Sequence, residues 1–202
     1  MNRPSGPLKV NARDPGASIV LAAGLNRYLS SAGPSRPVVT VCIGTDRSTG
    51  DSLGPLVGML LERRKPPGAP VYGTLDQPVH AVNLRDTLDD IERTFRDPFI
   101  IAVDACLGQL ASVGSVQLCE GPVKPGAGVN KQLPPVGHIH LTGVVNVGGF
   151  MEYLVLQNTR LSVVMGMAEV IADALCRALA QRQRLAVRPP EPGAERKAVL
   201  KP

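Results

Sequence analysis

Val38-Val-Thr-Val-Cys-Ile43-Gly-Thr-Asp-Arg-Ser-Thr-Gly-Asp51-Ser-Leu-Gly-Pro55 reads as a buried strand, an abrupt polar loop and the first turn of a helix. The apolar, β-branched run predicts a strand over 38–43. Leu56, Val57, Leu60 and Leu61 then recur at helical spacing, and Lys65-Pro-Pro-Gly68 ends the helix. The same grammar returns in Phe99-Ile-Ile-Ala-Val-Asp104-Ala-Cys-Leu-Gly108, where an apolar run at 99–103 again meets an aspartate. In an open α/β sheet, chemistry collects at the carboxyl ends of the strands. If the two strands are neighbours, Asp51 and Asp104 converge, either as an acid pair that shares a proton or as half of a metal site.

Further elements alternate in the same way. Helices are expected over 17–31, 84–96, 150–157 and 168–183. Strands are expected over 71–75, 113–119, 138–146 and 161–165. Asn83 stands where a cap of the helix at 84 would be. The alternation predicts an α/β three-layer sandwich with a mostly parallel sheet. One main domain spans 38–185. Residues 1–37 read as a flexible N-terminal segment with a short helix, and 186–202 as a disordered, basic Pro/Gly-rich tail.

Composition narrows the function. The 202 residues are 44% apolar and 19% charged, ordinary globular usage. Net charge is +5, but residues 1–37 contribute +4 and 184–202 contribute +3, so the core between them is slightly acidic. With 3% aromatic residues and no Trp, bases have few stacking platforms, and nucleic acid is not the expected partner. The loop at 44–54 is neither G-x-x-x-x-G-K-[ST] nor G-x-G-x-x-G, and Asp46 and Asp51 would repel a phosphate. Cys42, Cys106, Cys119 and Cys176 form no C-x-x-C and read as reduced thiols. No signal peptide or membrane span is evident, so a cytoplasmic, soluble protein is expected.

The candidate site can be drawn wider than its two acids. Proton sharing would raise one carboxyl pKa and leave the other ionised, as needed to activate water and protonate a leaving amine. Gly44, Thr45 and Asp46 of the loop, His80, and Asn146 are candidate substrate-binding residues. Glu152 and Asn158 belong to the helix entrance after Asn146 and are candidates for the same cleft. His138 and His140 point to one face of a strand, and His140 could join Asp51 and Asp104 in a carboxylate–carboxylate–imidazole metal site. Cys106 is two residues from Asp104, and a buried, inert thiol is the expectation there.

These motifs carry a family resemblance. Cys42 to Pro55, Tyr72-Gly-Thr-Leu-Asp-Gln-Pro-Val-His-Ala-Val-Asn83, Val103-Asp-Ala105 and Asn146-Val-Gly-Gly-Phe-Met-Glu-Tyr-Leu-Val-Leu-Gln-Asn-Thr-Arg-Leu161 resemble the YyaC-type sporulation proteins. Those are similar in turn to the germination protease, whose proposed catalytic acids match Asp51 and Asp104. The fold implied is that of the hydrogenase-maturation endopeptidases, where the two positions are metal ligands and a His-x-x-Gly histidine is the third. His140-Leu-Thr-Gly143 has that form. The resemblance implies a spore-associated peptidase without a cofactor, located in the forespore or spore interior and acting on a protein or peptide. Its alternatives are a maturation-type endopeptidase using one divalent transition metal and a non-enzymatic sporulation protein on the same fold. A homo-oligomer is compatible with either.

Overall fold

The computed structural model describes residues 6–126 and 133–187. They form a six-stranded sheet in the order β1-β5-β6-β4-β2-β3. The strands are β1 (Leu8–Asn11), β2 (Val38–Cys42), β3 (Val71–Tyr72), β4 (Phe99–Gly108), β5 (Ser115–Glu120) and β6 (Ile139–Val147). The central pairs β3–β2, β2–β4 and β4–β6 are parallel, whereas β6–β5 and β5–β1 are antiparallel. The helices are α1 (Ala17–Ser31), α2 (Leu53–Arg64), α3 (Leu84–Thr94), α4 (Glu152–Gln157) and α5 (Leu161–Val187).

Side-chain alternation divides the core into two layers. Val38, Cys42, Ile101, Val103, Ile139 and Leu141 point to one face and pack with α1, α2 and α5. Val39, Val41, Ile43 and Ala102 point to the other and meet Leu84, Leu88 and Ile91 of α3. Because β2 and the first half of β4 are covered on both faces, their sequences run apolar, whereas Ile139-His-Leu-Thr142 of β6 alternates. The expected three-layer α/β architecture is present.

Three expectations change. The sequence reading sets residues 1–37 apart as flexible. Within them, Leu8–Asn11 pairs with β5, and Leu21, Leu25 and Leu29 of α1 are buried in the main core. The described part of that segment therefore belongs to the domain. The strand expected over 161–165 is instead the first turn of α5. Val164, Met167, Ala168, Ile171, Ala172 and Leu175 are all fully buried, and this i, i+3, i+4 stripe overrides the β-branched start. Asn83 stands before α3 but does not cap it. Its Oδ1 accepts from the His80 N–H at 2.8 Å and its Nδ2 donates to the Pro78 carbonyl at 3.0 Å. The tail expected over 186–202 lies, from 188 onward, outside the described residues.

The connections locate a cleft. From β2 the chain crosses through α2 to β3, then returns through α3 to β4 on the opposite side of β2. The winding direction reverses between β2 and β4, and the two crossover helices lie on opposite faces. A crevice opens at the carboxyl ends of two strands that diverge in this way.

Candidate active site

Asp51 and Asp104 meet at that reversal. Cys42 of β2 is in register with Val103 of β4, so the loop after one strand faces the aspartate that follows on the other. Asp51 sits in a short 3-10 turn, Gly50–Ser52, ahead of α2. Its carbonyl accepts from the Thr45 N–H at 3.1 Å, which closes the loop on itself. Gly44 makes this closure fit: its φ is +147°, and a Cβ there would stand 2.0 Å from the Asp51 carbonyl oxygen. The Asp51 side chain makes no cap to α2. It remains available to the cleft.

The cleft has a volume of about 400 Å³ and is lined by both aspartates. Glu152 and Leu156 of α4 form one wall, Thr142 of β6 and Cys106 of β4 another, and Lys124 brings a positive charge. Glu152 belongs to the helix entrance that the sequence singles out. Its Oε1 accepts from the Gly149 N–H at 3.2 Å. Lys124 and Thr142 carry no local signal, because they reach the cleft from a loop and a strand remote from either aspartate motif.

The carboxyls are held in different electrostatic states. Burial is the largest influence on Asp104 and, with the neighbouring Asp51 charge, pushes its pKa up to about 8. The Ala105 N–H, donating to Asp104 Oδ1 at 2.9 Å, offsets this only in part. Burial also raises Asp51 above the ordinary carboxylate range. Burial therefore favours the protonated form of Asp104 at neutral pH. Burial pushes the neighbouring Cys106 thiol up to about 11, against the Thr142 hydrogen bond that lowers it. A thiol so raised is a poor nucleophile at neutral pH.

The other candidate residues separate into different places. Thr45 lies in the loop, where its Oγ1 accepts from the Arg47 N–H at 3.3 Å, and Asp46 is exposed beside it. Gly44, Thr45 and Asp46 support Asp51 without lining the cavity. His80 is a turn residue before α3: its Nδ1 accepts from the Val82 N–H at 3.3 Å, and its carbonyl accepts from Leu84. Asn146 ties β6 to the helices beyond it, its Nδ2 donating to the Val155 carbonyl and to Thr159 Oγ1, both at 3.2 Å. It faces a shallow apolar groove lined by Phe150, Met151 and Leu154, and Asn158 lies there too.

His140 does not join the acids. It lies on the same sheet face as Thr142, one alternate position farther back along β6, and only Thr142 lines the cleft. The His140 Nδ1 is 2.8 Å from the Gly121 carbonyl. Among the described residues, no three His, Cys, Asp or Glu side chains are grouped to hold a metal. The Asp51, Asp104 and His140 set therefore does not fit a metal ion in this arrangement. His138, expected on the same strand, stacks on Phe99 at the opposite end of the sheet.

Comparison with known proteins gives three findings. A family model described as "Protein of unknown function (DUF1256)" matches residues 9–174. The uncharacterized protein YyaC of Bacillus subtilis (strain 168) is 63% identical over 140 residues, covering 69% of this chain and 68% of that protein. Among solved structures, the NiFe hydrogenase maturation protease HycI from Thermococcus kodakarensis KOD1 superposes with a TM-score of 0.52 at 16% identity. That match covers 76% of this chain and 98% of the other, and it is a likeness of fold.

Proposed function

This chain belongs to the DUF1256 family and has the fold of a hydrogenase maturation protease, and from that premise we propose that it is a peptidase whose catalytic groups are Asp51 and Asp104. The observation that carries the reading is the convergence of two carboxyls in one cleft, where burial lets Asp104 keep its proton to about pH 8. A base and an acid side by side are what amide hydrolysis needs. In the proposed step, Asp51 takes a proton from water as the oxygen attacks the amide carbonyl. Asp104 then gives its proton to the leaving nitrogen as the C–N bond breaks. One water is consumed, and proton exchange with solvent returns both acids to their starting states. Lys124, in the same cleft, supplies a positive charge for the developing oxyanion.

The substrate under this reading is a polypeptide, and the resemblance to the YyaC-type sporulation proteins makes a spore protein the first class to examine. The experiment is a digest. A peptide library made from the proteins of a spore-forming host is incubated with the protein, and new termini are read by mass spectrometry. Asp51→Asn and Asp104→Asn should each lower the cleavage rate by about 10²–10⁴-fold with an unchanged circular dichroism spectrum. If both variants cleave at the normal rate, the aspartate mechanism is wrong.

A further inference from the structure

β4 outruns its neighbour on one side. β2 accompanies it only from Phe99 to Val103, whereas β6 continues beside it to Gly108. In a parallel ladder, one residue turns its N–H and C=O to the same neighbour, and the next residue turns them to the other. The Val103 carbonyl accepts from the Ile43 N–H at 2.7 Å, so Val103 faces β2. The Gly108 carbonyl accepts from the Gly148 N–H at 2.9 Å, so Gly108 faces the β6 side. By alternation, Ala105 and Leu107 face the side that β2 has left. Beyond Ile43 the chain turns away, and the Gly44 N–H donates to the Val79 carbonyl instead.

Three main-chain groups are stranded by that departure. The Ala105 N–H is taken by the Asp104 carboxyl. β2 offers no ladder partner to the Ala105 carbonyl or to the N–H and the carbonyl of Leu107, because its pairing with β4 stops at Val103. Ala105, Cys106 and Leu107 all line the cleft that holds Asp51 and Asp104. An unpaired strand edge presents a row of acceptors and donors that another extended chain can satisfy.

We infer that the polypeptide bound in this cleft lies extended along β4, adding a strand whose main chain pairs with Ala105 and Leu107 while its amide reaches Asp51 and Asp104. This rests on the peptidase reading and specifies its substrate: an unfolded or locally extended segment, recognised through its backbone. The acceptor–donor–acceptor order repeats at strand spacing, about 3.3 Å per residue. A folded loop or a small amide cannot match that order over its length. Because main-chain groups do the pairing, substrate side chains are free to vary wherever they point away from the sheet.

The test uses a peptide that the protein cleaves, selected from the library above, in a series with single N-methylated amides. N-methylation should lower cleavage more than tenfold at every second residue near the scissile bond and less than threefold at the residues between. Leu107→Pro, which removes the N–H on the side that β2 has left, should lower cleavage more than tenfold with an unchanged circular dichroism spectrum. In the Asp104→Asn protein, the peptide should slow deuterium exchange at the Leu107 amide. Cleavage with no alternate-residue pattern overturns the strand-addition inference and leaves the peptidase reading standing. Protection of Leu107 by library peptides that are never cleaved keeps the edge site and overturns the peptidase reading. Neither cleavage nor protection overturns both.

Discussion

Burial of the Asp104 carboxyl carries a cost in stability. Free in the unfolded chain its carboxyl ionises near 3.8, whereas folded it keeps its proton up to about pH 8. Between those values the folded state binds the extra proton, so stability declines as pH rises through this window. The slope approaches about 1.4 kcal/mol per pH unit for one fully shifted group. Asp104→Asn removes the titration and keeps the shape. The variant should lose the pH 4–8 slope and melt higher than the wild type at pH 7.5, by about 2–4 °C for each kcal/mol recovered. Melting temperatures taken every half unit of pH check this, and parallel curves for the two proteins would sink it. Both aspartates are legible in the sequence because an apolar run precedes each, Asp104 at once and Asp51 after the Gly44–Gly50 loop. Glu152 is legible too, from its helix entrance, but Lys124 and Thr142 are not, because they come from segments that only the folded sheet brings to the same cavity.

At the scale of elements, α2 is set against β2 by the absence of a side chain. A Cβ at Gly54 would stand 2.1 Å from the Ile43 carbonyl oxygen, so the helix start and the strand end meet backbone to backbone. Gly54→Ala must push α2 outward, taking the Asp51 turn with it. Overpacking of this kind costs about 1–3 kcal/mol. The urea midpoint should fall at an unchanged m-value, and an unaltered midpoint would mean that the approach is looser than described. Elements with a strong local signal agree with their sequence: α1 covers the expected 17–31, and β2, β4, β5 and β6 fall near their expected positions. β1 was hidden because Leu8-Lys-Val-Asn11 is short, sits among Pro and Gly, and gains its pairing from β5, over a hundred residues later. The start of α5 was hidden for the opposite reason: Leu161-Ser-Val-Val-Met165 has β propensity, but Val164 opens the buried helical stripe of Val164, Met167, Ala168 and Ile171, which decides the outcome.

At the scale of the molecule, Arg182 closes the end of the sheet opposite the cleft. From α5 its guanidinium donates to the carbonyls of Leu29 and Arg36 at 2.7 Å and of Gly33 at 2.6 Å. It thereby joins the last turn of α1, the linker and the entry to β2. Arg182→Ala leaves those acceptors to solvent and should lower stability by about 1–3 kcal/mol. Arg182→Lys should restore less than half of that, since an ammonium cannot fork across separate carbonyls. Thermal melts of the three proteins decide this, and cleavage by the folded variants should match wild type.

That closure belongs to a wider arrangement: α5 packs against both α1 and α2 and fills the middle of their layer. α5 is thus the helix on which the two earlier ones rest. Until residues near 180 have left the ribosome, the apolar faces of Leu21, Leu25, Leu53 and Leu61 have no cover. β1 likewise waits for β5. Such long-range closure makes for slow folding and a nascent chain prone to association. Completion of the core therefore waits for α5, and the sheet that brings Asp51 and Asp104 to one cleft gains its full cover only then.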